Sequence, residues 1–393
     1  MKKKSLIASL VSCMLLLTAC GGGTEKPADT DKKNETTSAQ NTDEKALYTI
    51  FSKQGEGTNF DTPWWNRGDL YKVITFRSLF KANNTLTEFN PDLISEYKPA
   101  DDGLSYEFTL KDGLKWSDGK DLTAEDVKFS IEGALRGAKV NGIYSATFSK
   151  IEGAKEYKDG TADSISGIET PDDKTVKIEF ETAYGPGLTN LGCMGIIPEH
   201  IWSKIPQGEW RQNTEALSKP VGNGPYKLVS FNEGQDVKFE KNEDFFGGEV
   251  KTANIIYKIV GEDTVAADLK SGTIDLAAVS NLKNADIKDL ESAGYKIYRH
   301  PNNLFQYMGL NYRNPIFQDI KVREAIITAI DRKNMVEKLI EGNGEVKDAP
   351  MLSSSWAYPK DAEFNKYAYD TEKAKALLEE AGYTMRDGIM VND

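Results

Sequence analysis

Residues 103–130 read GLSYEFTLKDGLKWSDGKDLTAEDVKFS, and the side-chain period changes partway along. Tyr106, Phe108 and Leu110 alternate with Ser105, Glu107 and Thr109, which predicts a strand with one apolar and one polar face. Asp112-Gly113 and Asp118-Gly119 supply the positive-φ positions that tight turns need. Thr123 can then cap a helix, with Asp126 three residues on as an imperfect capping box. Val127, Ser130, Ile131, Ala134 and Leu135 give that helix one buried stripe. Period two giving way to period 3.6 within one stretch places the chain in a mixed α/β class.

The same signals recur on both sides. Leu47–Ser52 is expected as a buried first strand, followed by the glycine-rich GEGTNFDTPWWNRG at 55–68. Asp69 can cap a helix carrying Tyr71, Ile74, Thr75 and Ser78. Hairpin signals follow at TPDDKTVKIEF, where Val176, Ile178 and Phe180 share a face, and at GPYKLVSFNEGQDVKFEKN. From residue 254 the expected order is strand (254–260), helix closed by Gly272, strand (273–279), helix closed by Gly294, and strand (295–299). That alternation predicts parallel pairing with right-handed crossovers. Phe305–Asn311 is expected as a further strand. Asp319 should cap a helix with Val322, Ala325, Ile326, Ala329 and Ile330 inward, and 332–341 a second helix. Asp370 should cap a last helix that buries Ala374, Leu377, Leu378 and Ala381 and ends at Gly382. The body, about 350 residues, is too long for one ordinary core, so two or more lobes are expected.

The amino end has its own character. Lys2, Lys3 and Lys4 precede an apolar run from Leu6 to Leu17 and then Thr18-Ala19-Cys20. A basic start, a short apolar core and a small residue before the break describe a secretory signal peptide over 1–19. The run is shorter than the roughly 20 residues of a membrane span. Leu17-Thr18-Ala19-Cys20 resembles the lipobox of bacterial lipoproteins, in which the cysteine is lipidated; the bland alternative is a secreted protein with an incidental Cys20. Residues 21–45 contain no aliphatic side chain larger than alanine and cannot offset their ordering entropy by burial, so 20–46 is expected to be a lipidated cysteine plus tether. Its root-mean-square reach is about 25–30 Å.

Composition narrows the chemistry. The formal charge is -12, with no basic run in the body, which argues against nucleic acid and against docking on anionic lipid. With Cys13 in the leader and Cys20 acylated, Cys193 is left alone, so no disulfide framework is expected, and Cys193 is read as a small buried hydrophobe. The two histidines, His200 and His300, stand in no zinc-type spacing, and there is no Cys-x-x-Cys, so neither a metal site nor a cofactor is expected. No nucleophile elbow, phosphate loop or complete dinucleotide fingerprint occurs. Nothing in the chain argues for an enzyme.

The run at 103–130 strongly resembles the signature region of the extracellular solute-binding proteins of family 5, the oligopeptide- and dipeptide-binding lipoproteins of peptide ABC transporters. Further stretches match in the same order: NPDLISEY at 90–97, VGNGPYKLVSF at 221–231, KSGTIDL at 270–276, NYRNPIFQDIKVREAIITAIDR at 311–332 and YDTEKAKALLEEAGY at 369–383. The match covers essentially all of 47–393.

The resemblance implies a two-lobed Venus-flytrap fold. Lobe I would comprise 47–78 and 200–304, an inserted subdomain 79–199, and lobe II 305–393. It makes the hairpin and helix at 103–135 scaffold, not ligand site. It also implies a peptide held by its backbone between the lobes, closing to a form that a permease recognises. By position in the family motifs the expected ligand residues are Trp64, Trp65, Asn66, Arg67 and Gly68, the turn Gly222, Asn223 and Gly224, and Leu304, Phe305, Gln306 and Tyr307. Trp356 is a weaker candidate for the pocket wall. The family's acidic partner for the peptide amino group falls later than Asp393, so lobe II is expected to be incomplete. The expected function is therefore a monomeric, lipid-anchored peptide receptor of an ABC importer. Open alternatives are another solute, such as a sugar or nickel chelate, and a sensing or adhesion lipoprotein.

Overall fold

The computed structural model describes residues 47–52, 74–83, 88–136, 142–212, 214–232, 235–279, 282–299, 305–351, 353, 358–360 and 363–392. The first strand, β1 (Leu47–Ser52), pairs in parallel with β10 (Asn254–Ile259), Leu47 opposite Ile255 and Ser52 opposite Ile259. Two antiparallel neighbours, β8 (Tyr226–Asn232) and β9 (Asp236–Lys241), complete a sheet of order β1-β10-β9-β8. One sheet therefore joins the beginning of the body to its middle, and the chain between β1 and β8 is an excursion from it.

That excursion has a sheet of its own. A short pair, β2 (Phe80–Ala82) with β3 (Phe89–Pro91), precedes β4 (Ile94–Pro99) and β5 (Ser105–Leu110). With β6 (Ile168–Glu169) and β7 (Thr175–Glu179) they form the order β4-β5-β7-β6. The alternation of 105–110 is realised: Tyr106, Phe108 and Leu110 are buried, with Phe108 opposite Val176 and Tyr106 opposite Ile178. Gly113 and Gly119 both take positive φ, so the two turns form where Asp-Gly placed them. Helix α1 (Ala124–Arg136) then lays Val127, Ile131, Ala134 and Leu135 into the same core. Trp116 is fully buried there, a burial that favours folding by about 2–3 kcal/mol. Helices α2 (Gly142–Phe148), α3 (Ala154–Asp159), α4 (Gly187–Cys193) and α5 (Glu199–Trp202) close around it. The cluster extends beyond residue 199 to Trp202 and Trp210, just before α6 (Thr214–Ser218). Cys193 is half-buried, not enclosed as expected.

After β10 the structure departs from the expected alternation. Helices α7 (Val265–Lys270) and α8 (Asn284–Ser292) form, each followed by a positive-φ glycine, Gly272 and Gly294. The expected strands at 273–279, 295–299 and 305–311 do not. Ile274, Tyr295 and Ile297 pack against the two helices as expected of apolar residues, but these segments form no complete ladder among the described residues. A pattern of side chains specifies an extended backbone; a strand also needs a neighbour to bond.

Helix α9 (Ile320–Thr328) starts at Asp319, α10 (Arg332–Leu339) at Asp331, and α11 (Thr371–Glu380) at Asp370. Each cap carboxylate accepts a first-turn N–H, as capping requires. In α9, Val322, Ala325 and Thr328 are buried; Ile326 and Ile330 are only partly covered and Ala329 is exposed. A hairpin, β11 (Thr384–Arg386) with β12 (Ile389–Val391), follows α11.

Candidate functional site

The Gly222-Asn223-Gly224 turn sits at a junction of three chain segments. Its first neighbour is the segment 74–77. Gly224 N donates to Thr75 O at 2.8 Å, and Asn223 Oδ1 accepts from Arg77 N at 2.7 Å. A Cβ on Gly222 would lie 2.1 Å from Thr75 O, and one on Gly224 2.2 Å from Ile74 O. The close backbone approach that these glycines permit is thus made by the protein's own chain, where a ligand had been expected. Its second neighbour is the turn after Trp116: Ser117 N donates to Gly222 O at 2.8 Å, and Gly222 N to Ser117 Oγ at 3.2 Å. Asn242 closes the third side, its Nδ2 donating to Gly224 O at 3.0 Å.

Two polar atoms in this junction have no hydrogen-bond partner among the described residues: Asn223 and Thr75 are each 1% exposed, and Asn223 Nδ2 and Thr75 Oγ1 are buried. An unsatisfied buried donor costs about 1–3 kcal/mol. Such a cost falls away when another group enters and accepts. The Arg77 guanidinium, part-buried, meets Asp92 Oδ2 at 2.6 Å.

The Trp116 turn is itself firmly held. Asp126, nearly enclosed, accepts from Thr123 N at 2.9 Å, Glu199 N at 2.8 Å and Trp116 Nε1 at 3.1 Å. Burial pushes the Asp126 carboxyl above the ordinary range in spite of these donors. His200 Nε2 lies 2.8 Å from Asp118 Oδ2. Burial opposes ionisation of Asp118, but the contact with His200 and the N–H of Lys120 outweigh it and hold that carboxyl low. Burial, then Asp126 and Glu125 nearby, raise Glu199.

Phe305, Gln306 and Tyr307 are exposed. The rings of Phe305 and Tyr307 stack with centroids 5.9 Å apart and planes 11° apart. Trp64, Trp65, Asn66, Arg67, Gly68, Leu304, Trp356 and Cys20 lie outside the described residues. The structure therefore places Gly222, Asn223 and Gly224 in one junction with 74–77 and Ser117, and among the described residues they make no hydrogen bond to 305–307. Thr75, Arg77 and Ser117 were not anticipated at this junction. Ser117 stands in the most recognisable stretch of the chain, but nothing in local spacing says what a turn will dock on. An open groove of about 540 Å³, lined by Pro315, Ile316, Asp319, Val322, Tyr383 and neighbours, includes none of the expected ligand residues. Among the described residues no group of three or more His, Cys, Asp or Glu could hold a metal ion, and no helix is long and apolar enough to cross a membrane.

Residues 88–392 match the model of the bacterial extracellular solute-binding proteins, family 5 (middle region). The chain belongs to this family. It is 31% identical over 348 residues to the oligopeptide-binding protein AppA of Bacillus subtilis, covering 83% of this chain and 61% of that protein. The structure of that AppA in complex with a nonapeptide superposes with TM-score 0.68 at 29% identity, over 89% of this chain and 66% of the other. NikZ of Campylobacter jejuni, solved with Ni(L-His), superposes with TM-score 0.70 at 28% identity, over 88% and 65%. The fold is thus the two-lobed one of these binding proteins, and the chain spans about three fifths of the length of its AppA relative. A further relative, a putative ABC transporter peptide-binding protein of Brucella ovis, is 28% identical over 332 residues, covering 84% of this chain and 59% of that protein.

Proposed function

We propose that this chain captures oligopeptides and presents them to the permease of an ABC importer, as a monomer held to the outer face of the cell membrane by a lipid on Cys20. The observation that carries this reading is its likeness to an oligopeptide-binding protein that has been solved with a nonapeptide. No chemical step is required of the protein; capture is enough. We place lobe I at 47–78 with 200–304, the inserted subdomain at 79–199 and lobe II from 305. The β1–β10 pairing, which closes one sheet across the whole insertion, supports that partition.

The ligand would lie against residues 64–68, Leu304, Phe305, Gln306, Tyr307 and Trp356, with Asn223 Nδ2 and Thr75 Oγ1 as donors in search of an acceptor. Residues 305–309 are exposed and lie in no helix or strand, which suits a main-chain grip that gives affinity with little regard to side chains. A second reading is a nickel chelate, favoured by the NikZ likeness. A chelate brings its own ligands, so the lack of a protein metal cluster among the described residues does not decide between them.

Calorimetric titration with tetra-alanine, a second tetrapeptide of different side chains, a neutral sugar and nickel-histidine tests the choice. Similar affinities for both peptides and none for the others are expected; a preference for nickel-histidine or sugar overturns the peptide reading. For the anchor, Cys20→Ser should move the protein from the membrane fraction to the soluble one. Failure of a fatty-acid analogue to label the wild type would remove the lipid.

A further inference from the structure

Three hydrogen bonds join described residues before 300 to those after 304, and each has Asn284 as one partner. Asn284 N donates to Glu341 Oε2 at 2.6 Å, Asn284 Nδ2 donates to Glu341 O at 3.0 Å, and Asn343 Nδ2 donates to Asn284 Oδ1 at 3.0 Å. Asn284 is the first residue of α8, and its N–H is one of the donors that a helix leaves unsatisfied. The residue before it, Lys283, offers no acceptor, so the cap arrives from a turn 57 residues downstream. A carboxylate there also complements the positive end of the helix dipole.

Glu341 adopts φ +50°, a left-handed conformation that costs a residue with a Cβ free energy and that glycine takes without penalty. Gly342 beside it is also left-handed, with its N–H on Val336 O at 2.9 Å. The turn after α10 would be less strained with glycine at both positions. Glutamate at 341 has a use that offsets the strain: it places a carboxylate on α8.

We propose that Glu341, Asn284 and Asn343 form a clasp between the two lobes that presets their mutual angle, so that they position the ligand-binding faces without touching the ligand. This rests on the lobe partition and solute capture proposed above. Without the clasp, lobe II samples more orientations and a smaller fraction of molecules is binding-competent. Affinity then falls by one common factor for every ligand.

The test uses the whole 393-residue chain. Glu341→Gly keeps the left-handed turn and deletes the carboxylate; Glu341→Gln keeps an acceptor for Asn284 N. Spin labels at cysteines replacing the exposed Lys288 (α8) and Lys338 (α10), in a Cys13→Ser, Cys20→Ser, Cys193→Ser background, report the lobe distance with no ligand present. Glu341→Gly should broaden that distance distribution and weaken tetra-alanine and a second tetrapeptide equally, by about 5-fold, the low end of usual coupling between sites. Glu341→Gln should restore both readouts to near wild type. An unchanged distribution in Glu341→Gly overturns the clasp whatever the ligand proves to be. A broadened distribution with unchanged affinity overturns its positioning role, and a wild type that binds neither peptide overturns the peptide reading while the distances still judge the clasp.

Discussion

Replacing Asn223 by alanine removes the oxygen that the Arg77 N–H reaches at 2.7 Å and leaves that donor without a partner. Stranding that N–H costs about 1–3 kcal/mol of folding free energy, offset in part because the unsatisfied Asn223 Nδ2 is removed with it, so the expected net loss is about 1 kcal/mol, read as a lower urea midpoint at unchanged slope. A loss of a few tenths would show that water replaces the side chain and that the junction is wetter than its burial suggests. Gly224→Ala is a sharper probe of the same place, since a Cβ 2.2 Å from a backbone oxygen requires two chain segments to move apart. Asp126 poses a question of sign. Three donors favour its charged form and burial favours the neutral one, and burial prevails. Its proton is therefore held more tightly in the folded state, and stability declines as pH rises from the ordinary value of 3.8 through the raised one. Asp126→Asn cannot titrate and lacks that decline, so the substitution should cost more at pH 4 than at pH 7. Urea midpoints at the two pH values decide it; a cost that grows with pH would mean the three donors win.

Among the elements, α11 offers a clean test because one residue both starts and docks it. Asp370 Oδ1 accepts from Lys373 N at 2.9 Å, and Asp370 N donates to Thr328 O at 2.9 Å, at the end of α9. Asp370→Ala keeps the second bond and loses the first, so it should cost about 1 kcal/mol and lower Tm by about 2 °C. No change in Tm would mean that solvent caps the helix as well as Asp370 does. This cap was legible from sequence, as were Asp319, β5, β7 and α1, because each depends on neighbours within a few residues. The hairpin β11–β12 carries a local signal too: Asp387-Gly388 is a two-residue turn with φ +50° and +83°, the same signal that marks residues 112–119. What could not be read was anything requiring a distant partner. The segments 273–279, 295–299 and 305–311 carry strand-like side chains, but pairing is decided elsewhere in the chain. Likewise the glycines at 222 and 224 announced a close approach without saying to what. The family motifs marked where a site should be; they did not reveal that Thr75 and Ser117 complete the junction.

Over the whole molecule, apolar burial is distributed very unevenly. One cluster from Leu79 to Trp210 contains Trp116, Phe108, Phe148 and Trp210 at full burial. Smaller clusters lie on the β8–β9–β10 sheet and around α7 and α8. Among the described residues from 305 to 392 the buried apolar side chains are small, Val322, Ala325, Ala349 and Ala374, while Tyr307, Leu339 and Ile389 are 78%, 71% and 66% exposed. Burial is what resists local opening, and each methylene kept from water favours the closed form by about 0.8 kcal/mol. The amides of α9, α10 and α11 should therefore open without the rest, in a sub-global step well below the global unfolding free energy. Hydrogen exchange on the intact chain should show these helices exchanging at least about 100-fold faster than β5 and α1, a gap of about 2.7 kcal/mol. Limited proteolysis should cut first beyond residue 304 and leave a protected product containing the Trp116 core. Saturating ligand should slow exchange in α9–α11 more than in α1, since only the weakly held part has openings for a ligand between the lobes to suppress. Uniform protection across both regions would show that residues 305–392 fold as one unit with the body, and would contradict the ranking of stability by burial.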